Sequence, residues 1–190
     1  MDSQIKDIFR ESVAVSTAFM LEDGAMSSVL RAADIMVKCL KAGNKILTLG
    51  NGGSAGDSEH FAAELVVRFE KERRPLPCIA LSANSSNLTA MSNDYSFDRV
   101  FSRQVEALGV KGDAVLAIST SGNSPNVIGA VKTARKAGMT VIALTGKDGG
   151  ELKDIADLSI LVRSSVTARI QEVHIIVIHA LCRLIDDKFV

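Results

Sequence analysis

No charge of one sign dominates this 190-residue chain: Lys plus Arg and Asp plus Glu each total 22, with neither a basic stripe nor a block of like charge. That argues against nucleic acid and anionic membrane as partners. Cysteine is scarce too. Cys39, Cys78 and Cys182 stand singly in apolar segments, an odd number without CxxC spacing, which predicts reduced, buried thiols in a cytosolic protein rather than a disulfide framework. Long hydrophobic runs are missing: the run Ile175–Ile178 is too short to span a bilayer. Asp7, Arg10 and Glu11 interrupt the amino-terminal region where a targeting segment would lie. A cytoplasmic location is expected. There is no internal repeat, low-complexity tract or linker, so residues 1–190 read as one domain, long enough to bury well over half of its unfolded surface without covalent staples.

What is present is a regular alternation. The first 43 residues carry helical periodicity, with Ile5, Ile8 and Phe9 in one stretch and Val29, Leu30, Ala33, Met36, Val37 and Leu40 in the next, and Gly43 suits the end of the second helix. Short apolar, β-branched runs follow at Lys45–Leu49, Cys78–Ser82, Ala114–Ser119, Thr140–Thr145 and Leu158–Val162. Helical patterns at 54–69, 97–108 and 124–137 lie between them. Strands apolar along their whole length, alternating with helices, predict a doubly wound α/β fold: a five-stranded parallel sheet covered on both faces, with an added N-terminal helical hairpin. A last helix, from about Val166 to Asp187, is apolar nearly all round. Such a helix is usually buried, and in a small domain a second subunit often does the burying.

In folds of this kind ligands collect at the carboxyl ends of the strands. The first strand leads into Gly50-Asn51-Gly52-Gly53-Ser54-Ala55, a loose G-x-G-x-x-A. A dinucleotide site also wants an acid at the end of the second strand, which here reads Leu81-Ser82-Ala83. No GKS or GKT occurs, so a P-loop is excluded. The glycines stay open to a plainer reading, as a tight strand-to-helix turn. After the third strand comes Ser119-Thr120-Ser121-Gly122-Asn123-Ser124, running into a helix at Pro125. Free N–H groups, the positive end of a helix and four hydroxyls together can bind a phosphate without a lysine. Ordinary helix capping is the alternative, although a cap needs only one hydroxyl.

These two loops in this order resemble the sugar isomerase (SIS) domain family of phosphosugar-binding proteins, and within it the branch that isomerises seven-carbon sugar phosphates. The stretches GNGGSAGDSEHFAAEL, Asn93-Asp94 in SNDYSF, FSRQVEALG, AISTSGNSPNVI, ALTGKDGGEL and ARIQEVHIIVIHALC carry the likeness over nearly all of the chain from residue 43 on. The resemblance implies conversion of sedoheptulose 7-phosphate to D-glycero-D-manno-heptose 7-phosphate for bacterial surface polysaccharide, a homotetramer, and bound zinc. The fold also serves as a non-catalytic module, in a protein that binds a replication initiator and in regulators that sense phosphosugars.

Moving a carbonyl between neighbouring sugar carbons requires a base that carries a proton from one to the other, an acid near the oxygens, and stabilisation of an enediolate. His60 and Glu64 are four apart on an expected helix, so they share a face and suit one metal or one substrate, unless they form only a solvated pair. Carried over by position, the resemblance makes Glu64 the base and His179 the acid. It places Asn51, Gly52, Gly53, Asn93 and Asp94 on the sugar, with Glu64 and Gln171 also touching substrate, and Ser119, Thr120, Ser121 and Ser124 on the phosphate. His60, Glu64, Gln171 and His179 become the zinc set. Eight helical residues separate Gln171 from His179, about 12 Å of rise, so one ion could be shared only by side chains leaning together. His174 does not match the family's metal positions and reads as a core histidine. Relatives without catalysis tend to lose the acid and metal residues, and this chain keeps them. Residues Arg163–Thr167 receive no role.

Overall fold

The computed structural model describes residues 2–190. Two helices open it, α1 (Asp2–Leu21) and α2 (Ala25–Lys41), and between them the chain turns by 75° at Gly24, whose left-handed backbone (φ 80°) suits a residue without a side chain. Strands β1 (Ile46–Gly50), β2 (Cys78–Ala80), β3 (Ala114–Ser119), β4 (Thr140–Gly146) and β5 (Leu158–Val162) then alternate with helices. They form one five-stranded sheet, all pairs parallel, in the order β2-β1-β3-β4-β5. Each strand lies within two residues of an expected run. The helices between them are α3 (Gly53–Val66), α4 (Ser85–Asp94), α5 (Ser102–Leu108), α6 (Pro125–Lys136) and α7 (Gly150–Ile155), and α8 (Thr167–Asp186) ends the fold.

Both faces of the three central strands are dry, because alternate strand residues enter two different cores, while on the edge strand β2 Ile79 is exposed. Ile46, Leu116, Ile118, Ile142, Leu144 and Ile160 pack with α2, α3 and α8. Leu47, Leu49, Val115, Ala117, Val141 and Ala143 face α5 and α6. The expected helix at 97–108 is broken: a single tight turn at Phe97–Arg99, opened by Ser96 accepting from the Asp98 N–H, precedes α5. Helix α4 has no buried residue, so it shows no apolar period. Helix α7 is six residues long, less than two full turns.

The strand order reverses between β1 and β3, since β2 lies on one side of β1 and β3 on the other. The carboxyl ends of those two strands carry the glycine loop and the hydroxyl loop. This reversal is where a doubly wound sheet opens a crevice for ligands. Among the described residues no single helix is long and apolar enough to cross a membrane. All three cysteines are free and buried, and burial pushes the Cys39 thiol up to about 11.

Candidate active site

The glycine loop is shaped by sterics. Gly52 has φ 56° and ψ −121°, a backbone that residues with a Cβ avoid. A side chain on Gly50 would strike the Ser54 backbone, and one on Gly53 would strike the Gln171 amide. Asn51 does not reach out freely: its side chain exchanges two hydrogen bonds with buried Asn126 on α6, at 2.8 and 2.9 Å. That pair ties the first loop to the helix behind the second. Asn126 carried no signal in the sequence.

In α3, the residues Ser54, Ser58, Phe61, Ala62 and Leu65 are buried, the three- and four-residue spacing of a helix lying on a sheet. Asp57, His60 and Glu64 follow one another on another stripe, toward α8, and Gln171 and His179 come from α8 to meet α3. Gln171 meets Gly53, and His179 meets His60 with their Nε2 atoms 3.0 Å apart and their rings edge to face. His60 Nε2 also lies 3.5 Å from a Glu64 carboxylate oxygen. Within one chain, then, His60, Glu64 and His179 come together, while Gln171 sits about two turns nearer the glycine loop because the two helices run side by side in the same direction.

The donor types suit a metal ion. Two imidazole nitrogens and a carboxylate are ordinary zinc ligands, and 3.0 Å approaches the roughly 3.3 Å between two nitrogens on one tetrahedral zinc. Among the described residues, however, no three His, Cys, Asp or Glu side chains already form a closed metal cage. Asp57, absent from the sequence reading, adds a carboxyl beside this cluster. Burial raises it to about 6, with the nearby His60 pulling it back down. Its Oδ2 is buried without a partner. Asp57 stands three residues before His60, so extending the helical stripe by one turn would have found it.

The hydroxyl loop gathers as expected. Ser119 Oγ lies 3.2 Å from Ser124 Oγ and 3.5 Å from Ser121 Oγ, with Thr120 half-buried beside them. Ser124 occupies the position before α6 yet makes no capping hydrogen bond, so the first-turn N–H groups are not taken by its hydroxyl. Gly122 (φ 65°) packs against the Gly149 backbone, and its carbonyl accepts from the Leu152 N–H at 2.9 Å. The loop after β4 therefore braces the loop after β3. Asn93 and Asp94 end α4, exposed and hydrogen-bonded to each other at 2.8 Å. Asp94 lines a separate depression of about 230 Å³ with Met91, Tyr95 and Arg103. His174 is fully buried against the Thr145 carbonyl, 3.1 Å away.

A parallel α/β domain with an anion-ready loop at its switch point, beside an imidazole and carboxylate cluster, is the form of a phosphosugar-handling protein. Residues 9–146 match the SIS domain model. A phosphoheptose isomerase of Shewanella sp. strain ANA-3 is 56% identical over 189 residues, covering 98% of this chain and 95% of the relative. Solved phosphoheptose isomerases from Neisseria gonorrhoeae (45% identity, TM-score 0.91, 98% of both chains) and Francisella tularensis (39%, 0.93, 97% of both) share the fold. The chain belongs to the SIS domain family, in its phosphoheptose isomerase branch. The domain match stops at β4, so α8 with Gln171 and His179 rests on the full-length relatives.

Proposed function

We infer that the chain is an aldose–ketose isomerase of heptose phosphates, converting sedoheptulose 7-phosphate to D-glycero-D-manno-heptose 7-phosphate in the supply of surface heptose. The observation that carries this reading is the convergence of Glu64 with His60 and His179 from two helices, next to a loop of clustered hydroxyls. Ser119, Thr120, Ser121 and Ser124 hold the phosphate with the amino end of α6. The Glu64 carboxylate removes a proton from one sugar carbon and returns it to its neighbour. His179 moves the proton at the carbonyl and hydroxyl oxygens. Gly52 and Gly53 leave room for the sugar, which Gln171 orients from α8, while Asn51 shapes the glycine loop through its pair with Asn126. Zinc is the metal we assign, with His60, Glu64 and His179 as its donors from this chain, and bound there it would polarise the sugar oxygens as a Lewis acid; Gln171, expected as a fourth ligand, lies instead beside Gly53, about two helical turns away.

We also assign a homotetramer and a cytoplasmic location, and an exposed apolar face supports self-association. On α1, Ile5, Phe9 and Val13, spaced four apart, form a stripe that is 53%, 67% and 64% exposed. A neighbouring apolar groove of about 360 Å³ is lined by Phe19, Met20, Met26, Val29, Ile176 and Val177. Covering such a face is what oligomers do. Sedimentation should give a multimer at micromolar concentration, and a monomer would refute the assembly.

The test of function is steady-state turnover of sedoheptulose 7-phosphate by zinc-loaded protein. Conversion to the aldose is expected. Phosphosugar binding with no turnover would overturn the reading in favour of a binding module.

A further inference from the structure

We propose that the buried Arg73–Asp186 ion pair is a positioning device for the isomerase chemistry, setting the last turn of α3, which bears Glu64, and the loop that backs His179. The proposal rests on the isomerase reading above. Helix α3 ends at Val66 and is followed not by glycine but by Val67 at φ −88°, ψ −86°. Its terminal carbonyls therefore need partners from outside the helix. Arg73 supplies the Glu64 carbonyl with its partner and shares Leu65 with the Leu76 N–H: one terminal nitrogen donates to the Glu64 carbonyl at 2.7 Å, and the other to Leu65 at 2.9 Å and, in its own loop, to Arg74 at 3.1 Å. Its Nε donates to Asp186 at 2.6 Å. The second Asp186 oxygen accepts from the backbone N–H groups of Glu70 and Lys71, at 3.0 and 3.1 Å. The two side chains are 0% and 1% exposed.

The clip reaches the reacting groups along two paths. The carbonyl it holds belongs to Glu64 itself, so the same contact fixes the Cα from which the carboxylate is projected toward His60. The loop it pins, between Val67 and Arg74, carries Phe69, whose ring stacks on His179 with centroids 5.4 Å apart and planes 25° from parallel. His179 is thus held between Phe69 on one side and His60 on the other. Only a planar guanidinium can reach a carboxylate and three carbonyls at once; a lysine ammonium keeps the charge but not the fork. Displacement of a reacting group by about 1 Å is enough to cost on the order of a hundredfold in rate.

The experiment compares zinc-loaded wild type with Arg73→Lys, Phe69→Leu and Lys71→Met, measuring kcat and KM for sedoheptulose 7-phosphate, inhibition by inorganic phosphate, and melting. Arg73→Lys should lower kcat by about ten- to a hundredfold, with KM and the phosphate inhibition constant within about twofold, at a temperature where circular dichroism shows a folded protein. Phe69→Leu, which leaves the ion pair intact, should lower kcat several-fold in the same pattern. Lys71→Met removes only an exposed ion pair to Asp187 and should leave kcat unchanged. A merely structural clip would lower the melting temperature of Arg73→Lys and spare its kcat, which overturns the proposal, as does equal loss of kcat and phosphate affinity. If Arg73→Lys does not fold, Phe69→Leu decides, and wild-type kcat there overturns it. A wild type without turnover defeats the isomerase reading and this proposal with it; an active wild type beside a fully active Arg73→Lys defeats this proposal alone.

Discussion

The two histidines of α8 stand five residues apart, about 140° around the helix axis, and meet opposite surroundings. His174 faces the sheet. It is fully buried, one ring nitrogen bonded to the Thr145 carbonyl and the other without a partner, and burial lowers it to about 4 against the partial support of that carbonyl. His179 faces α3, half-buried between Phe69 and His60 and near Glu64. One helix therefore serves a core with one side and the proposed reaction centre with the other. The lesson is that residue type says little here. What separates a packed histidine from one at the candidate site is which neighbouring helix or strand its face meets.

The largest effect should fall on the α3-facing side. Glu64→Gln keeps size and hydrogen bonding but removes the proton acceptor, so turnover should drop by roughly two to four orders of magnitude while substrate still binds by calorimetry. Near wild-type turnover in that variant would break the comparison at once, because the chemistry would then lie elsewhere.

A middle effect separates the grip on phosphate from both histidines. Ser121→Ala combined with Ser124→Ala removes two hydroxyls of the cluster and should raise KM about tenfold, with a smaller change in kcat. Steady-state kinetics that match wild type would show that the hydroxyls do not hold the phosphate.

The smallest kinetic effect belongs to His174→Gln. Thr145 pairs with Ser119 across β3 and β4, so the proposed phosphate loop is the nearest part of the candidate site to His174, yet kcat and KM should stay within about twofold. Stability should fall by about 1–3 kcal/mol at pH 7.5, through a lost hydrogen bond and altered packing. The folded-state value of about 4 lies below the ordinary 6.5, so neutral His174 contributes fully above pH 6.5 and less as the pH falls toward 4. The deficit of His174→Gln in chemical denaturation should therefore narrow between pH 6.5 and 4. A deficit that widens over that window, or loss of turnover with the fold intact, would erase the distinction between the two histidines.

Much of this was legible in advance where the signal is local. The five strands are short apolar runs bounded by loop residues, and burial on both faces leaves that mark on any sequence. The hydroxyl loop was visible because its residues are contiguous. Asn126, Phe69 and Arg73 were not, since each acts through a partner more than eight residues away: Asn51, His179 and Asp186 are 75, 110 and 113 positions distant. No periodicity encodes such pairings. The expected placement of Asn51 on the sugar also lacked one fact, the paired amide of Asn126 that holds it to α6.

By itself the sequence determined the alternation of strands and helices, the parallel sheet, the two loops at its carboxyl edge, and the spacing that sets His60 and Glu64 on one helical stripe. These follow from apolar period, turn chemistry and residue order, which are properties of neighbours along the chain. Only the tertiary structure decided that α3 and α8 lie side by side, which brings His179 to His60 and Gln171 to Gly53. Only it decided that Ser124 turns to Ser119 instead of capping α6, and that Arg73 closes the end of α3. Those outcomes depend on how separate elements pack and on which buried polar groups must find partners there, and that is settled across space, not along the chain.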